Sequence, residues 1–100
     1  LMWYSIYASD SPNSLKKRLA IRPKHLIRLK ELQQNGRLLV AGPFPAIDSE
    51  DPGENGFTGS LIIAEFNNLE DAKEWAHKDP FFIEGIYSQV DVKPFKKSLP

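Results

Sequence analysis

The chain has 100 residues, of which 41% are hydrophobic, and its 13 basic and 13 acidic side chains give a formal net charge of zero. This length suits one domain with its own core, and we predict a single domain over residues 1–100. The charge balance gives no reason to expect a nucleic acid or a membrane as a partner. The chain has no cysteine, which excludes disulfides and thiolate chemistry, and we predict a cytoplasmic protein.

The first third of the chain predicts a strand followed by a helix. Residues 2–8 are rich in aromatic and β-branched side chains, which favours a strand. A turn over 10–14 leads into a helical pattern that runs to Asn35. Pro23 is expected to kink or restart this helix, and Gly36 is expected to end it in the left-handed conformation.

Three further strands are predicted over 37–42, 60–66 and 86–93. The segment 43–59 lies between the first two of them and is long for a loop in so small a domain. Its three prolines, three glycines and four acidic residues are typical of a lid or of a solvated hairpin connection, and the sequence leaves both open.

A second helix is predicted between the last two strands. Asn68 is a suitable N-cap, and Asp79 before Pro80 ends the helix because a residue before proline disfavours the helical conformation. Asp79 is also expected to cap a short turn over 81–84.

The order of elements, β-α-β-β-α-β, predicts an α+β ferredoxin-like fold, with one antiparallel sheet and two helices on one face. The first and third strands carry apolar residues on both faces, as strands buried on both sides do. Helices can cover only one face of this sheet. We therefore predict a homodimer in which two sheets pack face to face.

His25 is the first candidate for a functional residue. At 100° per residue it falls in the same arc as Leu26, Leu29 and Leu32, so it points inward where a leucine would be expected. A buried polar group without a partner costs roughly 1–3 kcal/mol. His25 is therefore either a core histidine bonded to a backbone carbonyl or part of a site.

Asp79 is the second candidate, and a helix cap is its purely structural alternative. Both helices pack on one sheet face in this topology, so Asp79 and His25 could meet. A carboxylate beside an imidazole fixes its tautomer and supports proton transfer near neutral pH.

Four other residues are candidates for substrate binding. Arg22 suits a carboxylate or phenolate, although a surface ion pair is its alternative. Gly42, Pro43 and Ser60 are the other predicted substrate contacts, and no nucleophile-elbow pattern surrounds the serine. With two histidines and no cysteine, we expect no metal site and no cofactor.

Several stretches together resemble the YciI-like proteins, a family of small bacterial domains in the dimeric α+β barrel group. The resemblance covers nearly the whole chain, and its stretches are Lys17 to Leu26, Gly36 to Pro43, Asp79-Pro80-Phe81, Gly85-Ile86-Tyr87 and Val92 to Lys97. It implies a dimeric α/β barrel similar to muconolactone isomerases. One relative is a dehydrochlorinase that acts on a chlorinated hydroxyquinol with a histidine–aspartate pair. The matching positions here are His25 and Asp79.

Two hypotheses about function follow. The first is a homodimeric, cofactor-free enzyme of the lyase or isomerase type that acts on a small cyclic or phenolic compound through His25 and Asp79. The second is a module that binds a small molecule in the same pocket without chemistry. Turnover that depends on pH would favour the enzyme, and binding without turnover would favour the module.

Overall fold

Four strands and three helices make up the fold, and the computed structural model describes residues 1–100. In chain order they are β1 (Met2–Asp10), α1 (Leu15–Gln34), β2 (Leu38–Pro45), β3 (Phe57–Phe66), α2 (Leu69–His77), the four-residue α3 (Pro80–Ile83) and β4 (Tyr87–Phe95).

The strands form one antiparallel sheet in the order β2-β3-β1-β4. β1 lies inside the sheet, where Ile6 pairs with Ile62 of β3 on one side and with Val92 of β4 on the other. α1 connects β1 to β2, and α2 and α3 connect β3 to β4. The predicted α+β ferredoxin-like fold is confirmed, with helices on one face of a four-stranded antiparallel sheet.

The core lies between that face and the helices. Alternate residues of β1 and β3 point toward the helices, as the period of a strand requires, and they pack with small or leucine side chains of α1 and α2. The buried members of this cluster are Tyr4, Ile6, Leu29, Leu32, Ile62, Ala64, Phe66, Ala72 and Ala76.

α1 is a single 20-residue helix that contains Pro23, so the predicted restart at this proline does not occur. Proline has no N–H to donate to the carbonyl four residues earlier. That carbonyl belongs to Leu19, which is 56% exposed, so water can reach this part of the helix. None of the helices combines the length and the apolar character needed to cross a membrane.

α1 ends at the position that was predicted from Gly36. Gly36 has φ +69°, and the N–H of Arg37 donates to the carbonyl of Leu32 at 2.9 Å. This bond and the one from Gly36 to Gln33, at 3.0 Å, form a Schellman motif. The turn reverses the chain and sends β2 back along the sheet beside β3.

The loop predicted over 43–59 is shorter in the structure. β2 continues to Pro45 and β3 begins at Phe57, so only 46–56 connect the two strands. Pro43 and Pro45 made the predicted strand too short, because proline normally interrupts a strand. β2 is an edge strand, where proline is tolerated.

Gly59 is required inside β3, since a Cβ there would collide with the Ala8 carbonyl of the neighbouring strand.

Candidate active site

The structure brings His25 and Asp79 together, although 54 positions separate them in the chain. His25 Nδ1 lies 2.8 Å from Asp79 Oδ2 and 2.9 Å from Oδ1. His25 is 6% exposed and Asp79 is 2% exposed. The backbone-carbonyl alternative for His25 is therefore wrong, because its partner is a carboxylate.

The contacts of Asp79 decide which nitrogen of His25 carries the proton. Asp79 Oδ1 accepts a hydrogen bond from the backbone N–H of Phe81 at 2.9 Å, so the carboxylate already acts as an acceptor. Nδ1 of His25 therefore carries a proton and donates a hydrogen bond to Asp79. In the neutral ring Nε2 then has the lone pair, and the hydrogen bonds of the His25 ring within the chain are those of Nδ1 to Asp79.

Asp79 is both a helix cap and the hydrogen-bond partner of His25. It is the N-cap of α3, and its side chain faces His25 although α2 ends two residues earlier, at His77. Pro80 occupies the first turn of α3, where it is tolerated because the missing N–H has no partner there. The cap thus fixes the carboxylate that orients the imidazole.

Aromatic rings hold the imidazole on its other sides. The ring of His25 stacks on that of Phe81 with centroids 4.1 Å apart and planes 11° from parallel. Tyr87 meets His25 edge-on at 6.4 Å. The stack and the bond to Asp79 together leave the ring little freedom to rotate.

A cavity of about 310 Å³ lies beside His25, at the small end of the range for ligand pockets. All four predicted substrate-binding residues line it. Arg22 reaches it from the exposed side of α1, Gly42 and Pro43 from the edge strand β2, and Ser60 from β3. No residue of the 46–56 connection lines the cavity, which favours the hairpin-connection alternative over a lid.

Arg18 is a component of the site that the sequence analysis missed. Its guanidinium Nη1 donates to both carboxylate oxygens of Asp10 at 2.8 Å, and the two side chains are only 5% and 3% exposed. Nη2 donates to Ser60 Oγ at 2.6 Å. Burial raises the pKa of the Asp10 carboxyl, and the charge of Arg18 opposes that rise.

A helical-wheel position could have identified Arg18. It precedes His25 by seven residues, which is close to two helical turns, so both side chains project from the same side of α1. A charged residue on an otherwise apolar arc is a signal of the same kind as an inward histidine. Arginine is seldom fully buried unless it is paired, so a nearby acidic partner for Arg18 is expected as well.

Arg28 places a second positive charge near the pair, on the side away from the cavity. Its guanidinium lies 4.2 Å from the centre of the Trp75 ring. Burial lowers the pKa of Arg28, and the charge of Asp79 opposes this effect. Asp79 is thus within electrostatic range of a cation besides any charge on His25.

Tyr87 lies beneath the site, and its buried hydroxyl makes no hydrogen bond. Burial raises the pKa of Tyr87, nearby Ser60 and Arg18 oppose the rise, and Asp79 and Asp10 add to it. The folded protein therefore holds this phenol proton at pH values where an unfolded tyrosine, with a pKa near 10, has lost it.

This difference predicts a loss of stability in alkaline solution. Above about pH 10 the folded state binds more protons than the unfolded state, so the free energy of unfolding falls as pH rises. Tyr87 contributes up to about 1.4 kcal/mol per pH unit to that fall. Tyr87→Phe should make the fall shallower by this amount in urea unfolding measured at several alkaline pH values.

The matched control is Tyr7→Phe, which changes a half-exposed ring on the opposite face of the sheet. It should leave the contribution of Tyr87 in place. If the free energy of unfolding falls equally steeply with alkaline pH in Tyr87→Phe and in the unsubstituted protein, Tyr87 titrates alike in the folded and unfolded states.

The site contains side chains suited to proton transfer and hydrogen bonding. No group of three or more histidine, cysteine, aspartate or glutamate side chains is placed to hold a metal ion. What the described groups offer is one imidazole oriented by a carboxylate, one buried ion pair and one serine hydroxyl, around a cavity with apolar walls.

The fold and this cavity define a class, the small ferredoxin-like α+β domains with a pocket between the sheet and the first helix. The family model of the YCII-related domain matches residues 2–96, and the chain belongs to this family. Two bacterial relatives are close in sequence. A protein of Haemophilus influenzae is 60% identical over 96 residues, and protein YciI of Escherichia coli is 59% identical over 96 residues; each alignment covers 96% of this chain and 98% of the relative.

A more distant relative is fungal. Fusaric acid biosynthesis protein 2 of Gibberella fujikuroi is 28% identical over 95 residues, which cover 93% of this chain and 91% of that protein. The chain is therefore similar to a protein named for the biosynthesis of a small molecule.

A solved structure shares the fold. It is 5-chloro-2-hydroxyhydroquinone dehydrochlorinase (TftG) from Burkholderia phenoliruptrix in complex with 2,5-dihydroxybenzoquinone. The TM-score is 0.84 at 26% identity, and the match covers 97% of this chain and 96% of that one. The chain is thus similar over its whole length to a small-molecule enzyme that binds a hydroxylated ring.

Proposed function

We propose that this protein is a cofactor-free enzyme that performs acid–base chemistry on a small cyclic or phenolic compound, by elimination or isomerisation. The observation that carries the proposal is the pairing of His25 Nδ1 with Asp79 at 2.8 Å at the wall of a cavity, with Nε2 free to take a proton. The similarity to TftG supports a hydroxylated ring as the substrate.

His25 moves the proton in this mechanism, and Asp79 holds it in place. Nε2 removes a proton from the substrate, and the electrons of the broken bond form the new double bond. In an elimination from a chlorinated hydroxyquinol the ring reacts as its keto tautomer, and chloride departs from the tetrahedral carbon with the electron pair of the C–Cl bond. The imidazolium that results is stabilised by the carboxylate of Asp79, which is 2.8 Å away, and it returns the proton to the product or to solvent.

The cavity walls would hold the ring of the substrate. Phe57 and Ile62 supply apolar contacts, and Arg22 stands where it can contact a charged oxygen at the exposed side. Gly42 and Pro43 supply the wall from the edge strand. A cavity of about 310 Å³ suits one six-membered ring with substituents better than a larger metabolite.

Asp79→Asn tests the role of the carboxylate. Asparagine can still accept the Phe81 N–H and cap α3, so the fold should persist. It cannot stabilise an imidazolium as a carboxylate does, and we expect chloride release from 5-chloro-2-hydroxyhydroquinone to slow by about 10²-fold or more. Steady-state kinetics with a chloride assay measures this.

Asp71→Asn is the matched control, because Asp71 is exposed on α2 and does not line the cavity. It should leave turnover unchanged. If the unsubstituted protein binds hydroxylated rings without any turnover, the chain is the binding module that the sequence left open and the enzyme proposal fails.

A homodimer is the second part of the proposal. The sheet face opposite the helices carries apolar side chains, and Tyr7 lies there against Phe44 with ring centroids 5.2 Å apart and planes tilted by 40°. Tyr7 is 50% exposed and Val40 45% exposed in the single chain. A second copy packed on this face would cover both, as the prediction from strand patterning requires.

Sedimentation measures this directly. The protein should sediment as a dimer at micromolar concentration, and Tyr7→Glu should sediment as a folded monomer because a charge at the centre of that face opposes burial. A folded monomer of the unsubstituted protein at the same concentration would contradict the dimer.

A further inference from the structure

The Ser60 hydroxyl donates no hydrogen bond within the chain by distance and angle, although the phenol of Tyr87 lies close enough for Ser60 to lower its pKa. Ser60 Oγ accepts a short hydrogen bond of 2.6 Å from Arg18 Nη2, so an oxygen lone pair is occupied by a cationic donor. A hydroxyl that accepts still has its own hydrogen to donate. Ser60 is 3% exposed and lines the cavity, so an occupant of the cavity can receive that hydrogen.

Arg18 itself has little left to offer a ligand. Its charge is matched by Asp10, both of whose carboxylate oxygens lie 2.8 Å from Nη1, and Nη2 is committed to Ser60. The guanidinium therefore acts on the cavity through the serine. A hydrogen bond from a cation to the hydroxyl oxygen makes the hydroxyl a stronger donor, because hydrogen bonds in a network polarise one another.

Phe81 links this donor to the proposed base. The guanidinium carbon of Arg18 lies 4.8 Å from the centre of the Phe81 ring, and the His25 ring lies 4.1 Å from the same centre. The distance between the Arg18 guanidinium and the His25 ring therefore cannot exceed the sum of these two distances. Both residues line the same cavity. One substituted ring can reach from the imidazole to the Arg18–Ser60 end.

We infer that the Arg18–Ser60 pair is an oxyanion site, at which the Ser60 hydroxyl donates a hydrogen bond to the ionised oxygen of a phenol- or enol-bearing substrate while His25 holds the proton removed. The inference rests on the proposed function and names its substrate class. When Nε2 takes a proton from carbon beside a carbonyl, the C–H electron pair forms the new C=C bond and the carbonyl π pair moves to this oxygen as an enolate. When Nε2 takes a hydroxyl proton, the O–H electron pair stays on this oxygen as a phenolate or enolate. Ser60 touches the substrate, and Arg18 is a positioning residue that acts through Ser60.

The pairing of Arg18 with Asp10 also sets the specificity of the site. With no net charge at this end, the site does not attract phosphates or other strongly anionic groups, and what it stabilises is a single oxygen that gains charge inside the cavity. Weakly acidic hydroxyl compounds that enter neutral are the matching class.

The test uses two probes that differ in one group. The first is 4-nitrophenol, whose phenolate is yellow and whose phenol is colourless, and the second is 4-nitroanisole, in which a methyl ether replaces the ionising hydroxyl. The unsubstituted protein should bind 4-nitrophenolate about tenfold or more tighter than 4-nitroanisole, and bound 4-nitrophenol should turn yellow at lower pH than the free compound. Ser60→Ala should remove about tenfold of that preference and leave 4-nitroanisole binding unchanged.

Three further variants separate the roles. Ser60→Thr retains the hydroxyl and should keep the preference, whereas Arg18→Lys should weaken it and reduce the colour shift. His77→Gln should keep it, because His77 is exposed and does not line the cavity. The inference is overturned if the unsubstituted protein shows no preference or if Ser60→Ala retains it. If the unsubstituted protein prefers 4-nitrophenolate as described but turns over no substrate, the proposed chemistry is refuted and the oxyanion site is not.

Discussion

His25→Gln is expected to slow chloride release from 5-chloro-2-hydroxyhydroquinone by about 10²- to 10⁴-fold, the contribution of a well-placed general base. Glutamine has a similar size, and its amide can still donate a hydrogen bond to Asp79, which accepts from Nδ1 at 2.8 Å in the structure. The carboxylate is therefore not left without a donor. What disappears is the lone pair of Nε2, and steady-state kinetics measures that loss.

His77→Gln is the control for this substitution. His77 is the second histidine of the chain, it is exposed at the end of α2, and it does not line the cavity. It should retain full turnover. Equal rates for His25→Gln and the unsubstituted enzyme would remove His25 from the chemistry and return it to a structural role.

Asp10→Ala is expected to cause the largest loss of stability, about 3–5 kcal/mol, because it leaves the guanidinium of Arg18 buried without its counter-ion. Both side chains of this pair are almost completely shielded from solvent, at 5% and 3% exposure. A lower urea midpoint with an unchanged slope would measure the loss. The double variant with Arg18→Met should recover part of it, since an apolar side chain needs no counter-ion.

Glu74→Ala provides the comparison on the surface. Glu74 accepts a hydrogen bond from Lys78 at 2.7 Å, but the two side chains are 64% and 67% exposed. The hydrogen bond from Lys78 lowers the pKa of Glu74, and the charge of Lys78 lowers it further. Water nevertheless screens the attraction between two exposed side chains. We expect no measurable change in the urea midpoint, and a loss as large as that of Asp10→Ala would contradict the dependence on burial.

Periodicity and local chemistry were sufficient to predict most of the fold. Gly36 ends α1 and Asp79 caps α3 because these positions depend on neighbours in the chain, which the sequence displays. The arrangement of the strands followed from the order of the elements, since β-α-β-β-α-β is the order of the ferredoxin-like fold. The end of β2 was misplaced because edge strands tolerate proline, and whether a strand lies at an edge is decided by the whole sheet.

The site was predicted less completely, because it too depends on contacts between residues that are distant in the chain. His25 was recognisable because a histidine on an apolar arc is conspicuous, and Asp79 because the topology places both helices on one face. Arg18 was missed although it lies on the same arc as His25, and Asp10 because it falls in a predicted turn, where a carboxylate is ordinarily exposed. Arg18 and Asp10 lie eight residues apart in the chain and are partners of each other. Both are shielded from solvent in this ion pair.

Proton transfer by His25 is the central claim, and exchange of ring hydrogens with solvent tests it most directly. 2,5-Dihydroxybenzoquinone dissolved in D2O with the protein is followed by proton NMR, so that removal of a ring proton appears as loss of its signal. The claim predicts that the unsubstituted protein accelerates this loss and that His25→Gln and Asp79→Asn do not. Loss at the same rate with all three proteins, under conditions where the compound is bound, would contradict it.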